Sequence, residues 1–197
     1  VVVGLGNPGD RYADTRHNVG FAVVDSLAES LGASFRKKLF RSYCIAKAAH
    51  GGGSLYLVKP LTYMNRSGSA VREALRETGA SPADLLVVCD NLDLSPGNCR
   101  FRLKGSSGGQ KGLESIIAAL GTSDFMRLTV GIGRPARKGQ VVGHVLTAPG
   151  RDEAALLAQG VDKASRAVLD LLNEGPEKVM NTYNRKEPAD KGNGSRR

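Results

Sequence analysis

The chain has 197 residues, 41% of them hydrophobic, and its 28 lysines and arginines outnumber 19 aspartates and glutamates for a formal charge of +9. That length suits one domain with a sizeable core, and no apolar run reaches the length of a membrane span. The cationic excess favours a polyanionic partner through counterion release, whereas an aromatic content of 5% argues against a base-stacking platform.

In chain order, Val1-Val2-Val3 reads as the first strand of a buried sheet. It is too short for a signal peptide, and the missing methionine suggests a start lacking a few strand residues. Residues 19–31 place Phe21, Val24, Leu27, Ala28 and Leu31 on one helical stripe, stopped by Gly32. Residues 43–49 and 55–58 flank Gly51-Gly52-Gly53 and read as a hairpin ending at Pro60. A helix is expected over 70–78. The near-continuous apolar run 85–89 predicts a central strand that delivers Asp90 at its carboxyl end. Strand 99–103 alternates Phe101 and Leu103 with Arg100 and Arg102. A Gly- and Ser-rich loop over 104–112, a helix over 113–120 and a strand over 128–132 follow. Residues 135–140 form a basic loop, and 141–146 read as a short strand or turn. After Ala148-Pro149-Gly150 comes a long helix that Gly160 weakens, then a short helix restarted by Gly175-Pro176. The expectation is an α/β fold: a single three-layer domain over residues 1–184, with a mixed twisted sheet and helices on both faces. Residues 185–197 read as a basic, disordered tail.

If these strands share one sheet, Asn7, Tyr12 and His17 from the first segment converge with Asn65 and Asp90. A carboxylate that accepts the ring proton of His17 fixes its tautomer and leaves the other nitrogen to deprotonate water. Asparagine amides can donate to a carbonyl oxygen as it becomes negative. Carbonyl hydrolysis by activated water suits this set, while His17 as a mere helix-start residue and Asp90 as a turn former remain open readings. No G-x-S-x-G elbow is present, Cys89 sits inside an apolar strand, and His50 and His144 lack metal-ligand spacing. The three cysteines are odd in number and lack CxxC spacing, which points to a reducing compartment. Gly105 to Gly112 lacks the Gly-Lys-Ser/Thr ending of a phosphate cradle.

Several segments together resemble the bacterial peptidyl-tRNA hydrolase family. They are Gly4-Leu5-Gly6-Asn7-Pro8-Gly9, Tyr12, Thr15-Arg16-His17-Asn18-Val19-Gly20-Phe21, and Pro60 with Met64-Asn65-Ser67-Gly68. Val88-Cys89-Asp90-Asn91-Leu92-Asp93-Leu94-Pro96-Gly97 and Arg127-Leu128 with Gly131-Ile132-Gly133-Arg134-Pro135 extend the likeness to about residue 185. The resemblance implies cleavage of the ester joining peptide to the terminal ribose of tRNA. It implies His17 as base, Asp90 as its orienting carboxylate, and Asn7 holding the scissile carbonyl or the terminal adenosine. Asn65 would bind peptide backbone, with Tyr12 and Met64 lining the cleft. The partner is peptidyl-tRNA, recognised through its acceptor stem and 3′ end; no metal, cofactor or membrane is expected, and the protein is read as a cytoplasmic monomer.

Two segments depart from the family pattern. Gly108-Gly109-Gln110-Lys111-Gly112 stands where the family reads Gly-Gly-His-Asn-Gly, so Lys111 replaces an amide with a cation at a substrate-binding position. In the clamp for the tRNA 5′ phosphate, Arg102 matches the first basic position, whereas Thr129 occupies the second without charge. Lys104, Arg127 and Arg134 are the other expected phosphate contacts. Two other readings stay open: a noncatalytic RNA-binding or splicing-assisting protein on the same fold, and a nucleotide- or protein-binding α/β domain. Cleavage that depends on His17 separates the first reading from both.

Overall fold

The computed structural model describes residues 1–185. Its seven strands are β1 (Val2–Gly4), β2 (Arg36–Lys37), β3 (Tyr43–His50), β4 (Gly53–Pro60), β5 (Leu86–Asn91), β6 (Cys99–Arg102) and β7 (Met126–Gly131). They form one sheet in the order β2-β3-β4-β1-β5-β7-β6. The central β4-β1-β5-β7 block is parallel, and the pairs β2-β3, β3-β4 and β6-β7 are antiparallel. The sheet is therefore mixed, as expected. The six helices are α1 (Val19–Ser30), α2 (Ser67–Thr78), α3 (Lys111–Leu120), α4 (Val141–Val145), α5 (Arg151–Glu174) and α6 (Pro176–Tyr183).

Alternation along the strands sends successive side chains to opposite faces, and each face has its own core. Val2, Leu86, Val88, Leu128 and Val130 pack with α1 and α5 on one side. Val3, Leu5, Val87 and Cys89 pack with α2 and α3 on the other. The β3-β4 hairpin closes through Gly51 and Gly52, both at positive φ (56° and 78°), which a two-residue turn matching the strand twist requires.

β1 lies between β4 and β5, so the chain leaves its carboxyl end toward one neighbour and the path from β4 returns to the other. Open α/β sheets bind ligands at such a switch point. The helix α1 presses onto it without a side chain in between. A Cβ on Gly4 would lie 2.2 Å from the Gly20 carbonyl oxygen, and one on Gly20 would lie 2.4 Å from that of Val88. The opposite layer uses the same device, since a Cβ on Gly68 would meet the Ser115 carbonyl at 2.0 Å.

One local reading is corrected, the long helix is borne out, and one strand is added. Residues 141–145 are the helix α4, not a strand; one and a half turns are too few for a hydrophobic period to show. The helix α5 runs through Gly160, where the missing side chain admits Gly97 and Val130. The two-residue edge strand β2 was not anticipated. The carboxyl end of the described chain braces the sheet edge: the Asn184 amide accepts from the Phe101 N–H at 2.8 Å and donates to its carbonyl at 2.9 Å. Apart from Arg185, the expected tail 185–197 lies outside the described residues. Among those described, no helix is long and apolar enough to cross a membrane.

Candidate active site

The carboxyl ends of β1, β4 and β5 open into a cleft of about 810 Å³. Asp90 continues the Leu86–Val88 row of β5 that faces α1, so strand alternation aims its carboxylate at the turn preceding that helix. That turn, Arg16–Asn18, carries His17. The close approach of Gly20 to β1 and β5 brings the two together: His17 Nδ1 lies 2.9 Å from Asp90 Oδ1. The ring is turned so that its N–H misses a straight approach to that oxygen. The side chains are 13% and 4% exposed respectively, so the carboxylate is buried while the imidazole keeps access to the cleft.

Asn7 is buried, and its orientation is settled by neighbours. Its Oδ1 accepts from the Met64 backbone N–H at 2.8 Å, which only an oxygen can do. Its own N–H donates to Asn18 Oδ1 at 2.8 Å, and Asn18 Nδ2 donates back to the Asn7 carbonyl at 3.0 Å. With Oδ1 engaged, Nδ2 is the donor that Asn7 offers the cleft. The same bond fixes the Met64–Arg66 turn at the start of α2, which sets buried Met64 and exposed Asn65 on the cleft wall.

The neighbouring Arg16 braces this corner. Its Nε and Nη2 donate to the two carboxylate oxygens of Glu153 at 2.6 and 2.5 Å, and Nη1 donates to the carbonyls of His144, Thr147 and Ala148. Those hydrogen bonds hold the Glu153 carboxyl below its ordinary pKa. They also tie down the end of α4, whose Val141, Val142 and Val145, with Leu146, form an apolar cleft wall.

Other expected site residues are placed differently. Tyr12 is half-buried under the Arg11 guanidinium, 4.4 Å from its ring centre, and is not among the residues lining the cleft. Lys111 begins α3 at the rim, but its ammonium is paired with Glu114 at 2.9 Å. The cation is therefore directed along its own helix. Arg127 is the main correction. It is 2% exposed, and its guanidinium donates to the carbonyls of Gly105, Ser106, Ser123 and Phe125. Burial lowers its pKa from the ordinary value, and no phosphate can reach a group so enclosed. Arg134 donates through Nε and Nη2 to Asp93. Lys104 is exposed beyond β6, outside the cleft lining. Thr129 donates to the Arg100 carbonyl at 3.3 Å and lies opposite Arg100 across the β6-β7 pair. Arg100 and Arg102 line the cleft on one face of β6, and neither pairs with a carboxylate among the described residues.

Sequence reasoning passed over Gln110, Asn18 and the α4 wall. Gln110 caps α3, its Oε1 accepting from the Leu113 N–H at 2.8 Å, and its Nε2 donates to Asp90 Oδ1 at 2.9 Å. Its position just before an apolar helical run was the available signal. All three cysteines are free and buried, and burial raises the Cys89 thiol pKa far above its ordinary value. No group of three or more His, Cys, Asp or Glu suited to a metal occurs among the described residues.

A buried carboxylate behind a cleft-facing imidazole, with amide donors beside it, is an arrangement that suits a hydrolase on an α/β fold. The family model described as peptidyl-tRNA hydrolase matches residues 1–191. The peptidyl-tRNA hydrolase of Aquifex aeolicus (strain VF5) is 47% identical over 189 residues, 95% of this chain and 97% of that protein. That of Desulfitobacterium hafniense (strain Y51) is 45% identical over 185 residues, 94% of this chain and 99% of its own. The crystal structure of peptidyl-tRNA hydrolase from Acinetobacter baumannii superposes with a TM-score of 0.89 at 36% identity, covering 95% of each chain. The chain belongs to the peptidyl-tRNA hydrolase family.

Proposed function

We infer that this protein is an enzyme that hydrolyses the ester between peptide and tRNA in peptidyl-tRNA, with His17 as the general base. Family membership supports the reaction. The observation that carries the residue roles is the 2.9 Å contact between His17 and buried Asp90 at the mouth of the cleft. Asp90, facing Nδ1, stabilises the imidazolium formed during the reaction. The other ring nitrogen takes a proton from water as the water oxygen bonds to the ester carbonyl carbon. Asn7 Nδ2 donates to the carbonyl oxygen as negative charge gathers there. Collapse of the tetrahedral intermediate breaks the bond to the ribose oxygen, and His17 returns the proton to that oxygen.

Asn65 and Met64 sit where the peptide side of the ester would run, and the apolar wall from α4 excludes water opposite them. The acceptor stem lies toward β6, where Arg102 and Arg100 supply phosphate contacts and Thr129 a neutral hydrogen bond. Buried free thiols fit a monomer working in the reducing cytoplasm.

His17→Ala tests the assignment on a defined N-acyl-aminoacyl-tRNA. The turnover number is expected to fall by about 10²–10⁴-fold, the usual contribution of a general base. Binding of the tRNA should persist. Turnover by His17→Ala at a near-parental rate would remove the imidazole from the mechanism.

A further inference from the structure

One side chain outside the proposed catalytic set joins three elements of the site. The Gln110 amide spans the start of α3, the end of β5 and the Met64 turn. Its Oε1 accepts from the Leu113 N–H at 2.8 Å, while Nε2 donates to Asp90 Oδ1 at 2.9 Å and lies 3.3 Å from Met64 Sδ. The orientation is unambiguous, because the helix N–H demands the oxygen and so turns the NH₂ toward the carboxylate. Asp90 Oδ1 is the same oxygen that faces His17 Nδ1.

We infer that Gln110 is a positioning residue for hydrolysis, holding the Asp90 carboxylate in the rotamer that meets His17; this rests on the proposed roles of that pair. A carboxylate at a strand end can rotate about its side-chain bonds, and burial alone does not choose the rotamer. A donor anchored to the first turn of a helix does. Gly112 keeps the anchor close, since a Cβ there would lie 2.6 Å from both Leu5 Cδ1 and Met64 Sδ and 3.0 Å from Gln110 Oε1. The amide is neutral, so it directs Asp90 without neutralising it. Three cations of the cleft lining are engaged away from Asp90: Lys111 with Glu114, Arg134 with Asp93, and Arg127 with loop carbonyls.

Two substitutions separate this role from simple helix capping. Gln110→Glu keeps an acceptor for the Leu113 N–H at the helix start, while its second oxygen replaces the donor to buried Asp90 with a like charge, so turnover is read per folded molecule. The expected result is a folded fraction whose kcat falls about ten-fold or more, with KM changed less than about three-fold. The acid limb of its pH profile should move to higher pH, because added negative charge favours the imidazolium. Gln110→Ala removes cap and donor together, so it should both melt earlier and turn over more slowly. A Gln110→Glu enzyme with parental kcat and an unmoved acid limb would overturn the inference. So would losses in both variants that merely track the folded fraction. His17→Ala reads separately: an inactive His17→Ala beside a parental Gln110→Glu refutes only the positioning role, whereas an active His17→Ala refutes the pair itself.

Discussion

At the His17 end of the cleft the side chains around the imidazole are held by one another. Asn7 is locked to Asn18 and the Met64 backbone, Asp90 to Gln110, and Arg16 to Glu153 and three carbonyls. At the β6 end, Arg100 and Arg102 face the same cleft without a carboxylate partner among the described residues. The two ends meet different demands. The proposed proton transfer and oxyanion stabilisation depend on atomic placement, which the buried, braced Asn7 and Asp90 suit. The proposed contact with a phosphate backbone depends on charge and tolerates motion, which suits half-buried Arg100 and exposed Arg102. Arg127 is buried and braced like the first group although its strand, β7, pairs with the β6 strand of the second.

Exchanging residues across that divide should break the contrast in a graded way. The largest effect is expected for Arg127→Ala, which strands four loop carbonyls and opens a buried gap. It should destabilise the protein by about 3 kcal/mol in urea or thermal unfolding while the salt dependence of tRNA binding stays unchanged. Arg102→Ala should do the reverse. Stability should stay within about 0.5 kcal/mol, while the slope of log affinity against log salt becomes shallower by about one. A parental slope for Arg102→Ala would remove that side chain from the phosphate interface.

The smallest effect is expected at Glu153, and it depends on pH. Arg16 holds this carboxyl below its ordinary value, so its contribution is present above the unfolded glutamate range and disappears as pH falls through the folded value. Glu153→Gln should therefore be less stable than the parent near neutrality, by under about 1 kcal/mol for a partly exposed pair. The two melting curves should converge on acidification. A gap that persists in acid would assign the loss to packing instead.

Much of this arrangement was legible beforehand because it follows from local pattern. The apolar run through Cys89 announces a central strand and puts Asp90 at its end; the stripe beginning at Val19 places His17 just ahead of a helix. The hairpin followed from three glycines between two apolar runs. What escaped depended on distant backbone. Strand alternation correctly sets Arg127 on the face of Thr129, but nothing nearby in sequence tells that residues 105, 106, 123 and 125 will fold carbonyls around it. Lys111 reads as a cation at the catalytic loop until the i+3 glutamate claims it. Gln110 looks like filler in a glycine-rich loop, because its importance lies in a carboxylate twenty positions earlier.

The contact between Gly20 and the ends of β1 and β5 has one more consequence. Main chain rests there on main chain, so the gap between imidazole and carboxylate is gauged by peptide units rather than by interchangeable side chains. Drift among Val23, Val24 or Leu27 would then alter how firmly the helix adheres and leave the spacing of the reactive pair intact. A lone methyl group at Gly20 would act as a shim, lifting α1 from the sheet and prising the imidazole away from the carboxylate.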